Sequence, residues 1–198
     1  MEKRRLGPCV TFFPQPTTLI ATRDEEGAVN LMTASWVGIV SKTPPTMAVA
    51  LHQSRKSYQN LKQGVGAFTV NVVPAGLAME ADFCGLKSGS EVDKVAHAGL
   101  GLEPAAQVAV PLVAESPLNV ECRVVGEQQL GEYCLVLGEI LEIHAADAAF
   151  DDSGNMDARV FDPLVYLGGI REYWSLGEKA GRAYRDGTRL FPEDAKGQ

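Results

Sequence analysis

Apolar and polar positions alternate in short blocks along most of the chain, and turn-forming residues separate the blocks. Residues 67–73 show the pattern plainly: Phe68, Val70 and Val72 alternate with Thr69 and Asn71, the period-two signature of a strand. Residues 119–125 repeat it, with Val120, Cys122 and Val124 set against Glu121 and Arg123, which predicts one buried face and one wet face. Residues 19–22 and 28–40 read as strands on either side of the turn Asp24-Glu25-Glu26-Gly27, and Gly38 inside the second suggests a bend or bulge. Pro44-Pro45 ends that segment, because proline has no amide to donate to a ladder. Residues 46–51 are nearly all apolar and are expected to be a strand buried on both faces. Strands are also predicted at 108–114, 133–145 and 163–170, with 126–132 as a loop rich in turn formers and Gly168-Gly169 closing the last strand.

Helical patterning is sparse. Residues 54–63 carry Ser54 as a good N-cap, Tyr58 and Leu61 on one face, and Gly64 at the stop. A short helix is predicted at 74–83 and another at 90–98, the latter capped by Ser90 with Asp93 in a near-capping-box position. A glycine-rich loop through Gly85 and Gly89 joins them. Residues 147–157 read as an acidic loop, and the chain from Asp186 onward as a loose polar tail. Seven or eight short strands, two or three short helices, no strand-helix-strand rhythm and no internal repeat predict a mainly β fold, an antiparallel barrel of one domain over 1–185.

Composition narrows the function by exclusion. A chain of 198 residues, 45% hydrophobic and 22% charged, suits one globular domain with a real core. A net charge of −7 argues against a general nucleic-acid or anionic-membrane binder, so any anion site must be local. No apolar run approaches the roughly 20 residues of a membrane helix. Pro8, Pro14 and Pro16 interrupt the stretch after the basic MEKRR start, so no signal-peptide core forms. Cys9, Cys84, Cys122 and Cys134 show neither a CxxC pair nor metal-ligand spacing and read as reduced, mostly buried thiols of a cytoplasmic protein. Gly99-Leu100-Gly101 meets Pro104 where a dinucleotide fingerprint needs its third glycine. His52, His97 and His144 lie far apart and read as structural or exposed. Asp151 to Asp157 resembles a calcium loop loosely, but Met156 takes the position that needs glycine, and no metal site is predicted.

Two stretches carry candidate chemistry. Ser54-Arg55-Lys56-Ser57 puts two cations at a helix N-terminus, where the helix dipole disfavours them. An anion bound by the free amides, guanidinium, ammonium and hydroxyl would remove the conflict; the alternative is two side chains pointing into water. Thr33, Ala34, Ser35 and Trp36 form a polar notch in an apolar strand, where small residues would let a planar ligand approach the backbone and Trp36 would supply a flat wall. The competing reading is a barrel strand whose hydroxyls face a neighbouring strand. Lys94 would either place a cation near a ligand or be a solvated helix lysine. Tyr166 and Tyr173-Trp174 read by default as core or interface packing.

The blocks NLMTASWVGIVSKTPPTMAVAL, SRKSYQNL, DFCGLKSGSEVDKV and DPLVYLGGIREYWSLGE, in this order over roughly residues 15–178, resemble the flavin reductase-like, FMN-binding split-barrel family, and within it the flavoredoxin-type branch. The resemblance implies a homodimer of split β-barrels with non-covalent FMN. It implies that Asn30, Thr33, Ala34, Ser35 and Trp36 line the isoalloxazine ring, with Leu51 also at the cofactor, and that Arg55, Lys56 and Ser57 hold the phosphate. Lys94 would reach the ring and Tyr166 would pack near it. Electrons would pass through flavin N5 with no side chain as obligatory acid or base, and Cys84 reads as a packed thiol. Members that reduce free flavin for a partner commonly carry Gly-Asp-His where this chain has Leu167-Gly168-Gly169. The expectation is therefore tightly held FMN in electron transfer with a redox partner protein. Oxidation of NADH or NADPH to supply reduced flavin, or a non-redox barrel, are the alternatives.

Overall fold

A computed structural model describes residues 1–190 of the chain. In chain order the elements are β1 (Gln15–Pro16), β2 (Thr18–Arg23), β3 (Val29–Ala34), β4 (Val37–Lys42), β5 (Pro45–His52), α1 (Lys56–Gln63) and β6 (Ala67–Val72). There follow α2 (Ala78–Leu86), α3 (Lys94–Ala98), β7 (Leu102–Glu103), β8 (Leu112–Val113), β9 (Leu118–Leu130) and β10 (Tyr133–Ala145). The described chain ends with α4 (Ala158–Phe161), β11 (Val165–Leu167), β12 (Glu172–Trp174) and a 3-10 turn over Asp186–Leu190. The predicted tail beyond 190 lies outside the described residues. Among the described residues no helix is long and apolar enough to cross a membrane.

Seven strands form one antiparallel sheet in the order β3-β2-β6-β9-β10-β5-β4. Its two end strands are consecutive in the chain, joined by Ser35-Trp36, and the Trp36 carbonyl accepts the Ala50 amide at 2.9 Å. The sheet curls into the split barrel. Neighbouring residues divide between two apolar layers, because successive side chains on a strand point to opposite faces. Ile20, Val49, Leu51, Phe68 and Val136 fill the barrel, whereas Leu19, Leu31, Val73, Ala81 and Cys84 pack between the sheet and the helical layer. Gly138 stands where Phe68 crosses β10: a Cβ there would lie 2.5 Å from the Phe68 ring. A small second sheet, β1-β11-β12, lies alongside. Cys84, Cys122 and Cys134 are buried free thiols and Cys9 is exposed.

Several predicted elements differ, each for a physical reason. The strand expected over 28–40 is two strands on opposite ends of the sheet, broken at Ser35-Trp36 where the barrel closes. Residues 126–130 belong to β9 instead of a loop. They pair with β10 up to Leu130–Tyr133, and their polar side chains stand in water, as Glu127 does in bonding Lys62 at 2.7 Å. The strand expected over 108–114 shrinks to Leu112–Val113, because Pro111 has no amide and the amides of 106–108 serve a side chain. Ser54 does not cap α1; Arg55 stands at that position without a side-chain cap, and the Ser54 hydroxyl bonds His52 Nδ1 at 2.8 Å. Asp93, not Ser90, caps α3 by accepting the Ala96 amide at 3.1 Å. The helix expected over 74–83 resolves into a 3-10 turn at Ala75–Leu77 and then α2, and the final strand narrows to β11.

Glu121 corrects the wet-face expectation. It is fully buried, under residues 106–108. Its carboxylate accepts the amides of Ala106, Gln107 and Val108 at 2.7, 2.6 and 2.9 Å and meets His144 Nε2 at 2.6 Å. Burial opposes ionisation here, but the His144 bond and the three amides outweigh it and hold the carboxyl below its ordinary range. Glu121→Gln turns an amide NH2 toward backbone donors and is expected to lower stability by about 2–3 kcal/mol in urea unfolding near neutral pH. A depressed folded pKa gives stability that is present above the ordinary carboxylate range and is lost as pH falls through the folded value. The gap between wild type and Glu121→Gln should therefore close as pH drops below about 4.

Candidate functional site

The site forms where β3, the start of α1 and the loop after α2 meet. Arg55 precedes α1 in an extended conformation (φ −73°, ψ 138°), so the first amides of the helix face outward with no side-chain cap. Around them lies a pocket of about 250 Å³ lined by Asn30, Ser54, Arg55, Lys56, Ser57, Lys87, Ser88 and Lys94. Lys56 Nζ is paired with Asp24 Oδ2 at 3.3 Å. Lys94 is only 4% exposed and donates to the carbonyls of Leu31 and Cys84 at 2.8 and 2.7 Å. Burial pushes the Lys94 ammonium pKa down, with Cys84 opposing and Arg55 adding to the shift. Asn30 donates from Nδ2 to the Ser57 hydroxyl at 2.8 Å, while its buried Oδ1 has no partner. Glycine at 89 is required by a close approach to the same side chain, since a Cβ there would collide with Asn30 Oδ1.

Met32 and Arg55 also line a second space, a cleft of about 380 Å³, so the two adjoin. Its walls are the barrel seam, Thr33 to Trp36, and the side chains of His52, Asp82, Tyr133, Tyr166 and Tyr173. The Thr33 hydroxyl donates to the Ala81 carbonyl, which docks α2 against β3. Trp36 packs on Tyr133 with ring centroids 5.0 Å apart, and His52 meets the edge of Tyr133 at 5.1 Å. Tyr166 and Tyr173 are cross-strand partners with centroids 5.4 Å apart. Tyr173 donates its hydroxyl to Asp82 Oδ1 at 3.3 Å; burial, then the Asp82 charge, push the phenol up to about 12. Arg55 Nη1 reaches the Gly85 carbonyl at 3.4 Å, at the junction of cleft and pocket.

The sequence-predicted residues separate accordingly. Thr33, Ala34, Ser35, Trp36 and Tyr166 line the cleft. Lys56 and Ser57 line the cationic pocket, and Arg55 lines both spaces. Asn30 and Lys94 line the cationic pocket and not the aromatic cleft, because β3 runs its Asn30 end toward α1 and buries Lys94 beneath the same strand. Leu51 faces the barrel core, fully buried, and lines neither space. His52, Asp82, Gly85, Tyr133 and Tyr173 line the cleft although sequence reasoning did not place them there. Tyr173 and His52 showed only as an aromatic and an isolated histidine, Asp82 only as the first residue of a block that carries the resemblance, and Tyr133 carried no sequence signal.

An aromatic-walled cleft that runs into a cationic pocket at a helix start, on a split antiparallel barrel, defines a binder of planar ring compounds with an anionic tail. The model of the flavin reductase like domain matches residues 10–175, and the chain belongs to that family. It is similar to the flavoredoxin of Desulfovibrio vulgaris (Miyazaki F), 30% identical, TM-score 0.88, covering 94% of this chain and 100% of that one. The flavoredoxin of Methanosarcina acetivorans is also 30% identical, TM-score 0.87, covering 96% and 100%. The FMN reductase (NADH) RutF 1 of Methylorubrum extorquens is 27% identical over 74% of this chain and 67% of its own length.

The two spaces make separable demands on a ligand. Arg55→Ala is expected to weaken FMN binding about 10- to 100-fold, the weight of a charge-assisted contact, and to weaken binding of riboflavin, which lacks the phosphate, by much less. Lys56→Ala should cost less, because Asp24 already holds the Lys56 ammonium. Flavin fluorescence titrations of both variants check the order.

Proposed function

We propose that the chain binds FMN non-covalently, with the ring in the cleft and the phosphate at the start of α1, and serves as an electron-transfer flavoprotein. The observation that carries this reading is the adjoining of the two spaces through Arg55 and Met32, since one ligand must present a flat apolar face and an anion together. The unpartnered Oδ1 of Asn30 supports it as well: a buried acceptor without a donor is costly, and a ligand hydroxyl would satisfy it. When bound, FMN supplies one- and two-electron redox chemistry. The chain's own part is to hold the phosphate with Arg55, Lys56 and Ser57, to flank the ring with Trp36 and Tyr166, and to keep an ammonium, Lys94, beneath β3.

The electron donor is read from the segment that ends β11. The Leu167-Gly168-Gly169 segment carries no side chain suited to a nicotinamide nucleotide, which favours a protein redox partner over NADH or NADPH. The similarity to an NADH-dependent FMN reductase keeps direct nicotinamide oxidation as the second reading. An absorbance spectrum of the purified protein under anaerobic conditions separates them. Flavin bands that persist with NADH and NADPH but bleach with dithionite support the carrier; bleaching by either nucleotide makes it a reductase; protein that neither carries nor takes up FMN overturns both.

The same reading includes a homodimer. β4 ends the seven-stranded sheet and carries Ile39 and Val40, 65% and 57% exposed, next to an edge unpaired among the described residues. Light scattering should give about twice the chain mass, and Ile39→Lys with Val40→Lys should return it to the monomer value.

A further inference from the structure

We propose that Gln15 is the positioning residue of the ring cleft, tying its two aromatic walls, Trp36 and Tyr166, to the N-terminal arm; this rests on the FMN reading above. Trp36 and Tyr166 come from the barrel seam and from β11, elements that belong to different sheets. Gln15 is joined to both. Its backbone pairs with Tyr166 in the β1–β11 ladder. Its side-chain amide, oriented so that each atom finds a partner, accepts the Trp36 indole N–H at 3.0 Å and donates to the Phe12 carbonyl at 3.2 Å.

The arm is seated by two glycines. A Cβ on Gly168 would lie 3.0 Å from the end of the Gln15 side-chain amide, and one on Gly169 would lie 2.5 Å from Thr11 Cγ2. Side chains at 168 and 169 would therefore lift residues 11–15 off β11 and break the link to Trp36. The glycine pair that ends the strand thus has a local use in this chain: it admits the arm, and through Gln15 the arm fixes the indole. An indole held at both its ring face, by Tyr133, and its N–H, by Gln15, has one orientation toward the cleft. Without the Gln15 bond the half-exposed ring is free to turn about its side-chain torsions.

The consequence is confined to the ring end. The phosphate pocket lies around α1, and Gln15 does not line it. Loss of one neutral hydrogen bond that orients a wall is expected to weaken ring binding about five- to tenfold.

The test uses the full chain with Trp174→Phe as background, so that Trp36 is the one tryptophan reporting. In Gln15→Leu, the emission of Trp36 in ligand-free protein should change and riboflavin affinity should fall about five- to tenfold, with the apparent affinity for inorganic phosphate and the melting temperature unchanged. Gln15→Glu, whose carboxylate still accepts the indole N–H although it cannot donate to the Phe12 carbonyl, should restore the emission and most of the riboflavin affinity. In a Trp36→Phe background, where no N–H remains, Gln15→Leu should have no further effect on riboflavin. Unchanged emission in Gln15→Leu, equal losses in Leu and Glu variants, or a full Gln15→Leu effect in the Trp36→Phe background would overturn the assignment. Failure of the wild-type chain to bind any flavin would overturn the FMN reading instead, and the ligand-free emission series would still decide whether Gln15 holds Trp36.

Discussion

Closure of the seven-stranded sheet is the constraint on which the rest depends. The strands at its two ends, β3 and β4, are neighbours in sequence, so only Ser35-Trp36 can span the seam. Small residues at 33–35 let the backbone make that passage, and the passage leaves an indentation in the barrel wall where a bulky strand would have been solid. Trp36 and Tyr133 then become the walls of the indentation because β5 and β10 bring Tyr133 opposite His52, beside the seam. The cleft is thus a product of how the barrel closes.

Charge is arranged with the same economy of means. The body of the chain is acidic, yet Arg55, Lys56, Lys87 and Lys94 converge on one pocket. Three of the four are already engaged, Lys56 with Asp24, Lys94 with two carbonyls and Arg55 with the Gly85 carbonyl, so the pocket holds cations without leaving all of them bare. Glu121 shows the converse on β9: a buried anion stabilised by three backbone amides and a histidine, and fixing a loop that has almost no strand pairing of its own. In both places a buried charge is satisfied by main-chain groups, which are rigid and cannot swing away.

Much of the fold was legible in the chain. Alternation at Phe68–Val72 and Val120–Val124 marks two strands, although Thr69, Asn71 and Glu121 on their polar faces are buried as well, and the absence of helical rhythm between strands excludes a doubly wound sheet. The misread stretches share a cause: side chains answer to partners far away in sequence. Glu121 looks like a solvent-facing residue until residues 106–108 cover it, and Gln128 and Gln129 look like a loop until β10 supplies their ladder. At the site, Thr33 to Trp36 and Arg55 to Ser57 stood out because each breaks a local rule, small polar residues in a strand and cations at a helix start. Asp82, Tyr133 and Tyr173 break none, and their local patterning does not point to a cleft.

The sequence by itself determined the mainly β class, the notch and the cationic helix start, because hydrophobic period, turn chemistry and the helix dipole act over a few residues. Only the tertiary structure decided which of these features meet. Asn30 and Lys94 went to the cationic pocket, Leu51 to the core and Tyr173 to the cleft, because strand register and helix docking set those positions across separations of tens of residues. Local chemistry makes certain residues stand out; long-range packing selects which of the two spaces each one lines.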